Sequence, residues 1–193
     1  MNFYLATKNI NKVLEIQDIL KNTGIKVKPA PEDIVFPEET GETFKENALI
    51  KARHLKKFID APVAGEDSGL IVEKLNGLPG IFSARFAGEP IDDRKNIKKL
   101  LDLLSPFKDI RERKAKFIAV VALIDNNEEK IFTGEVNGII TFTPRGNNGF
   151  GYDPIFEIPE TNKTFAELTM EEKNKISHRA IAFNKLADYL LKR

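Results

Sequence analysis

The chain contains no cysteine, no tryptophan and only two histidines, His54 and His178. Without thiols there are no disulfides, no thiolate nucleophile and no cysteine-ligated zinc or iron–sulfur centre, which fits a reducing compartment. Two histidines are too few for a histidine-rich metal site. Net charge is also nearly absent, since 30 basic and 29 acidic residues leave +1. No global field therefore draws the chain to nucleic acid or an anionic membrane, and phosphate binding must be local. No apolar run approaches the roughly 20 residues that span a bilayer. Residues 1–7 open on a strand-like run, not on the basic and then apolar segments of a secretory signal, so a cytoplasmic protein is expected. Ser68 lies in Asp-Ser-Gly, outside the Gly-x-Ser-x-Gly elbow that a serine-hydrolase triad needs. Catalysis is left to Asp, Glu, Lys, Arg, His, Ser, Thr or a bound metal.

What is present suits a globular protein. The 193 residues are 41% hydrophobic and 31% charged, enough for one domain over residues 1–193, or two closely packed lobes, with a substantial core. Residues 3–6 read as a strand, followed by a polar turn at Thr7-Lys8-Asn9 and an amphipathic helix carrying Val13, Leu14, Ile16, Ile19 and Leu20. A strand is expected at 25–28 and an acidic loop at 29–41. Thr43 and Glu46 form a capping box opening a second helix, on which Asn47 and Lys51 share one face. Residues 66–69 read as a tight, carboxylate-bearing turn between apolar runs, and 77–87 as a loop punctuated by Gly and Pro. Asp92 or Asp93 caps a helix running to Leu104, and 114–124 with 130–142 make a hairpin around Asn126-Asn127. A second Gly-rich loop at 145–154 precedes two closing helices, 169–173 and 177–191. Strands and helices mix without strict alternation, so the class is α/β, mixed α+β, around a largely mixed sheet.

Clusters in this chain could carry chemistry. Thr7, Lys8, Asn9, Ile10, Asn11 and Lys12 sit where a strand passes into a helix start, a natural anion site; Thr7 and Asn9 supply donors and Lys12 a countercharge, although the glycines of a P-loop are missing. Helix capping with solvated lysines accounts for the same six residues. Glu38-Glu39 and Glu66-Asp67 offer hard oxygen ligands suited to magnesium, which takes one or two carboxylates and fills the rest with water and phosphate. Asp67 is the candidate base for an attacking water. Phe150, Gly151, Tyr152 and Asp153 combine a free backbone, two aromatic faces and a carboxylate, a set that suits a purine: Phe150 or Tyr152 to stack, Asp153 to accept from ring NH groups. Lys173 with His178 and Arg179 provides donors for carbonyl or phosphate oxygens.

In chain order, Thr-x-Asn-x-x-Lys at 7–12, Glu-Glu-Thr-Gly-x-Thr-Phe-x-Glu-Asn-Ala at 38–48 and Asp-Ser-Gly-Leu at 67–70 are followed by Gly-x-Pro-Gly-Ile-x-Ser-Ala-Arg at 77–85. Gly-Phe-Gly-Tyr-Asp-Pro-Ile-Phe at 149–156 and Glu-Lys-x-x-x-Ser-His-Arg at 172–179 complete the series. Together they resemble the inosine triphosphate pyrophosphatase family. The resemblance implies a homodimer with an elongated central mixed sheet flanked by helices, in two lobes with a cleft between them. It implies hydrolysis of inosine, xanthosine and deoxyinosine triphosphates to monophosphate and pyrophosphate, with Mg2+ as cofactor. On this chain it assigns residues 7–12 and Lys51 to the triphosphate, Asp67 to the general base, and Asp67 with Glu38 or Glu39 to the metal. Ser68 becomes a substrate contact, residues 150–153 hold the base, and Lys173, His178 and Arg179 sense its 6-keto oxygen. Lys8 departs from the Gly or Ser common there, and Glu66 from a second aspartate. Two rivals are a Maf-like pyrophosphatase acting on modified pyrimidines and a nucleotide or single-stranded nucleic-acid binder without turnover.

Overall fold

The structure is a computed structural model that describes residues 2–126 and 128–192; Asn127, in the expected hairpin turn, lies outside them. The elements run β1 (Asn2–Leu5), α1 (Ile10–Leu20), β2 (Lys26–Pro29), α2 (Phe44–Lys56), β3 (Val63–Val72), α3 (Asp93–Leu103), β4 (Lys114–Asp125), β5 (Glu128–Ile140), β6 (Phe156–Ile158), β7 (Lys163–Thr164), α4 (Met170–Ile176) and α5 (His178–Leu191), with short 3₁₀ turns between them. The strands form one seven-stranded mixed sheet in the order β2-β1-β3-β4-β5-β6-β7. Two compact units share the chain: Met1–Asp67, Ala119–Glu135 and Asn174–Arg193 in the first, Ser68–Ile118 and Val136–Lys173 in the second.

Each helix starts where the local chemistry supplies acceptors for its free N–H groups. The Asn9 side chain accepts from Asn11 N and Lys12 N. Thr43 and Glu46 make the expected capping box on α2, and Asp92 caps α3. Thr169 and Glu172 exchange the same pair of bonds ahead of α4, while Ser177 Oγ accepts from Ala180 N to begin α5.

In the first unit, β1 pairs in parallel with β2 on one side and β3 on the other. Phe3, Leu5, Val13, Ile16, Ala64 and Phe183 belong to one buried cluster that gathers α1 and α5 onto a single face of the sheet; full burial of each large side chain contributes about 1.5–3 kcal/mol. Helix α2 lies against the opposite face. A Cβ on Gly65 would come within 2.1 Å of the Ala48 carbonyl oxygen, so only glycine lets the α2 backbone settle there. Side chains alternate along a strand, which sends Ala64 and Glu66 toward α1 and α5 and Gly65 and Asp67 toward α2.

Residues 66–69 are thus the middle of a continuous ten-residue strand, not the tight turn expected from Asp-Ser-Gly. Burial on both faces overrides the turn preference of those residues, which continue β3 beside β4 past the end of its pairing with β1. Residues 80–85 of the expected loop wind into a 3₁₀ turn. In the second unit, Phe117, Phe156 and Phe165 pack ring against ring at 4.5–5.9 Å, and the short strands β6 and β7 extend the sheet.

Gly65→Ala should lower stability by about 1–3 kcal/mol or more, the usual result of overpacking where backbone must move. Urea denaturation would read this as a lower midpoint at constant slope; an unchanged midpoint would contradict the close α2–β3 approach.

Candidate active site

The strand order β2-β1-β3 creates a switch point. The chain leaves the carboxyl end of β1 through α1 toward β2, and returns through α2 on the other face to β3. Ligands of open α/β sheets bind outside the carboxyl ends of the strands at such a point. Residues 7–12 follow the end of β1, and Glu66 and Asp67 lie just beyond the β3 residues paired with it.

Glu66 and Asp67 are 3% and 6% exposed, and buried ionised groups require partners. Lys12 Nζ donates to Glu66 Oε2 at 2.6 Å. Arg179 donates from Nε to Glu66 Oε1 at 3.2 Å and from Nη1 to Glu15 Oε2 at 2.7 Å. On the other face, Lys51 Nζ bridges Asp67 Oδ1 at 3.1 Å and Glu39 Oε1 at 2.9 Å. The second Asp67 oxygen, Oδ2, is buried with no hydrogen-bond partner among the described residues.

These surroundings separate two neighbouring carboxyls. Burial alone would raise Glu66, but Lys12, Arg179 and Lys51 outweigh it and hold the group well below its ordinary 4.5. Burial raises Asp67, Lys51 and Lys12 oppose that, and Glu39 and Glu66 push it further, so it ends above its ordinary value. Burial also works against the Lys51 charge, yet Asp67 and Glu39 prevail and raise its pKa. Two carboxyls driven apart in this way divide roles: Glu66 is held toward its ionised form, and Asp67 is the readier of the two to take a proton.

Asp67 Oδ2 is an unpartnered hard oxygen beside a second carboxylate, Glu39, which fits magnesium. Among the described residues no group of three or more His, Cys, Asp or Glu side chains is gathered as a ligand set, and magnesium does not need one. Glu38 is exposed while Glu39 turns in against Lys51.

In the second unit, residues 149–153 are held from several sides. Asp153 Oδ2 accepts from Lys173 Nζ at 2.7 Å and from Phe150 N at 3.0 Å. Gly151 N donates to Asp93 Oδ2 at 2.7 Å. Gly149 takes φ of 74°, and a Cβ there would sit 2.0 Å from Asp153 Oδ2, so glycine is required twice over. Tyr152 is buried and its hydroxyl donates to the Ser83 carbonyl at 2.9 Å; burial, with Asp93 nearby, raises its pKa. Of the two rings, Phe150 is the half-buried one, with Lys173 Nζ 5.2 Å from its centroid.

The remaining expected residues fall as follows. Thr7 Oγ1 accepts from Asn9 N at 3.1 Å, while Asn9, Ile10 and Asn11 are exposed at the start of α1. Lys8 Nζ donates to the carbonyls of Pro31 and Glu32 and so fastens the acidic loop. Ser68 is half-buried in β3, and His178 is buried at the start of α5. Glu15 was not singled out from the sequence. The signal available was its position three residues after Lys12, on the same side of α1.

Folding lowers the Glu66 pKa, so the native state binds fewer protons there than the unfolded chain. The carboxylate therefore adds stability above pH 4.5 that is lost as pH falls below that value. Glu66→Gln should cost about 3–5 kcal/mol near neutral pH, the usual result of breaking a buried pair, and the gap to wild type should narrow in acid. Denaturation at about pH 7 and about pH 3 checks this; an equal gap at both would contradict it.

Comparison with known proteins agrees over the whole chain. The Ham1 family model matches residues 3–189. A dITP/XTP pyrophosphatase from Thermoanaerobacter sp. (strain X514) is 48% identical over 200 aligned residues, covering 100% of this chain and 98% of that protein. One from Halalkalibacterium halodurans is 50% identical over 194, covering 96% and 97%. Among solved structures, a HAM1 protein from Coxiella burnetii superposes with a TM-score of 0.90 at 43% identity, covering 100% of both chains. The Ham1 protein of Staphylococcus aureus gives 0.87 at 40%, covering 100% and 99%. Matched in sequence and in fold from end to end, the chain belongs to the Ham1 family.

Proposed function

We propose that this protein hydrolyses non-standard purine nucleoside triphosphates, dITP, ITP and XTP, to the monophosphate and pyrophosphate. The names of its relatives support the reaction class. The observation that carries the reading is the pair of adjacent buried carboxyls on β3, Glu66 held by Lys12 and Arg179 and Asp67 by Lys51, with Asp67 Oδ2 left open toward a ligand.

In this reading Asp67 takes the proton of a water attacking the α-phosphorus, and pyrophosphate leaves. Lys12 and Lys51 offset the charge that develops on the phosphate oxygens. The α1 start, residues 7–12, holds the triphosphate at the positive end of the helix dipole, with Thr7 and Asn9 side chains as donors. Asp67 and Glu39 would hold Mg2+, which supplies charge neutralisation of the phosphates when bound. Glu66 keeps Lys12 and Arg179 in place.

The base is assigned to Phe150, as a stacking face, and to the backbone of residues 150–153, with Lys173, His178 and Arg179 as donors toward its 6-keto oxygen and Ser68 as a further contact. Hypoxanthine and xanthine present an acceptor at C6 where adenine presents a donor, so fixed donors leave adenine's amino group unpaired. The Lys173–Asp153 pair is well suited to such a fixed donor, since both side chains are buried. Arg179 has a second duty as countercharge to Glu66 and Glu15. A homodimer in the cytoplasm completes the proposal; no described helix is long and apolar enough to cross a membrane.

Pyrophosphate release from a panel of purine and pyrimidine triphosphates, with and without magnesium, tests the reading. Turnover should favour dITP, ITP and XTP over dATP and require the metal. Asp67→Asn should retain nucleotide binding but lose about 10²–10⁴-fold in turnover, the range attributed to a positioned base; near-normal turnover would exclude that role. Lys173→Met should reduce the preference for dITP over dATP, and an unchanged preference would remove Lys173 from base recognition.

A further inference from the structure

Glu39 lies in a segment, residues 30–43, that forms no helix or strand, and its side chain meets the site through Lys51. A carboxylate on such a segment is placed only as well as the segment is fastened. One fastening is Lys8, which binds the carbonyls of Pro31 and Glu32. The other is at the start of α2. There Asn47 Oδ1 accepts from Gly41 N at 2.8 Å, and Glu46 Oε2 accepts from the N–H groups of Glu42 and Thr43.

Asn47 is not explained as a core residue. It is 1% exposed, and its Nδ2 is buried with no hydrogen-bond partner among the described residues. An apolar side chain would remove that buried, unsatisfied donor, so packing alone disfavours asparagine here. The contact with residue 41 is also built for glycine: a Cβ at Gly41 would lie 2.6 Å from both Asn47 Oδ1 and Glu46 Cβ. Asn47 stands one helical turn before Lys51 on the same face of α2, and Gly41 stands two residues after Glu39. One helix face thus carries both the lysine that binds the Glu39 carboxylate and the amide that holds its backbone.

We propose that Asn47 is a positioning residue for Glu39: it clamps Gly41 so that the glutamate is presented beside Asp67 as a ligand for a divalent cation. This rests on the reading of Glu39 and Asp67 as metal-binding carboxylates. The role is carried by Oδ1, so aspartate at 47 preserves it and alanine removes it.

The test uses the full-length protein and magnesium. In Asn47→Ala, hydrogen exchange at the Gly41 amide should accelerate by about tenfold or more, and magnesium affinity, measured calorimetrically without nucleotide, should weaken by about 10–100-fold. Turnover at saturating magnesium and nucleotide should stay near wild type. Asn47→Asp should keep Gly41 protected. Gly41→Ala displaces the clamp from the other side and should weaken magnesium binding in the same way, which keeps the test available if Asn47→Ala does not fold. The double variant should be no worse than either single one. Unchanged Gly41 exchange in Asn47→Ala, additive losses in the double variant, or a loss confined to turnover at saturating magnesium would each overturn the proposal. Glu39→Gln, run alongside, separates the two levels. Normal magnesium affinity there would remove Glu39 from the metal site, whereas weakened affinity there with normal affinity in Asn47→Ala and Gly41→Ala would overturn the clamp alone.

Discussion

Two carboxylates buried side by side in the middle of β3 must be neutralised, and the organisation of the first unit follows from that requirement. Three helices each contribute one cation: Lys12 from α1, Lys51 from α2 and Arg179 from α5. Leaving an ion of this kind uncompensated costs several kcal/mol, so the helices that cover the sheet are also the ones that keep it charged. Packing and electrostatics select the same arrangement, and a displacement of any of these helices would be felt at the carboxylates.

The pleat of the strand turns this requirement into a division of labour. Adjacent residues face opposite sides, so Glu66 meets Lys12 and Arg179 while Asp67 meets Lys51. The first receives more cationic charge than burial can counter and stays ionised. The second keeps an oxygen without a partner and a raised pKa. Two consecutive acids, alike in sequence, acquire distinct chemistry from a half-turn of backbone. In the second unit a comparable economy holds residues 149–153, where a single Asp153 oxygen meets both Lys173 and the Phe150 amide.

Much of this was legible in the residues. The capping boxes at Thr43 and Thr169 and the aspartate cap of α3 rest on local contacts, and local contacts are written in short spacings. The ordered motifs pointed to the family because they span the whole chain. Other features were hidden for physical reasons. Asp-Ser-Gly has turn propensity, and only its burial within the ten-residue β3, beside β4, makes it a strand. Strands of three and two residues, β6 and β7, are too short to show alternation. The Glu15–Arg179 pair joins residues 164 positions apart, and no local pattern carries such a distance. The loop 38–39 offered two equivalent glutamates, and the fold turned Glu39, not Glu38, toward Lys51.

Gly65 sets a mechanical property of the site. With α2 seated on the strand at the distance of a missing side chain, the helix has no slack to slide or lift without separating from β3. On the α2 side, adjustment around Asp67 then falls to the four-carbon stem of Lys51, whose ammonium can swing while the helix backbone stays still. The compliance of this carboxylate–ammonium pair resides in one flexible side chain mounted on a rigid frame.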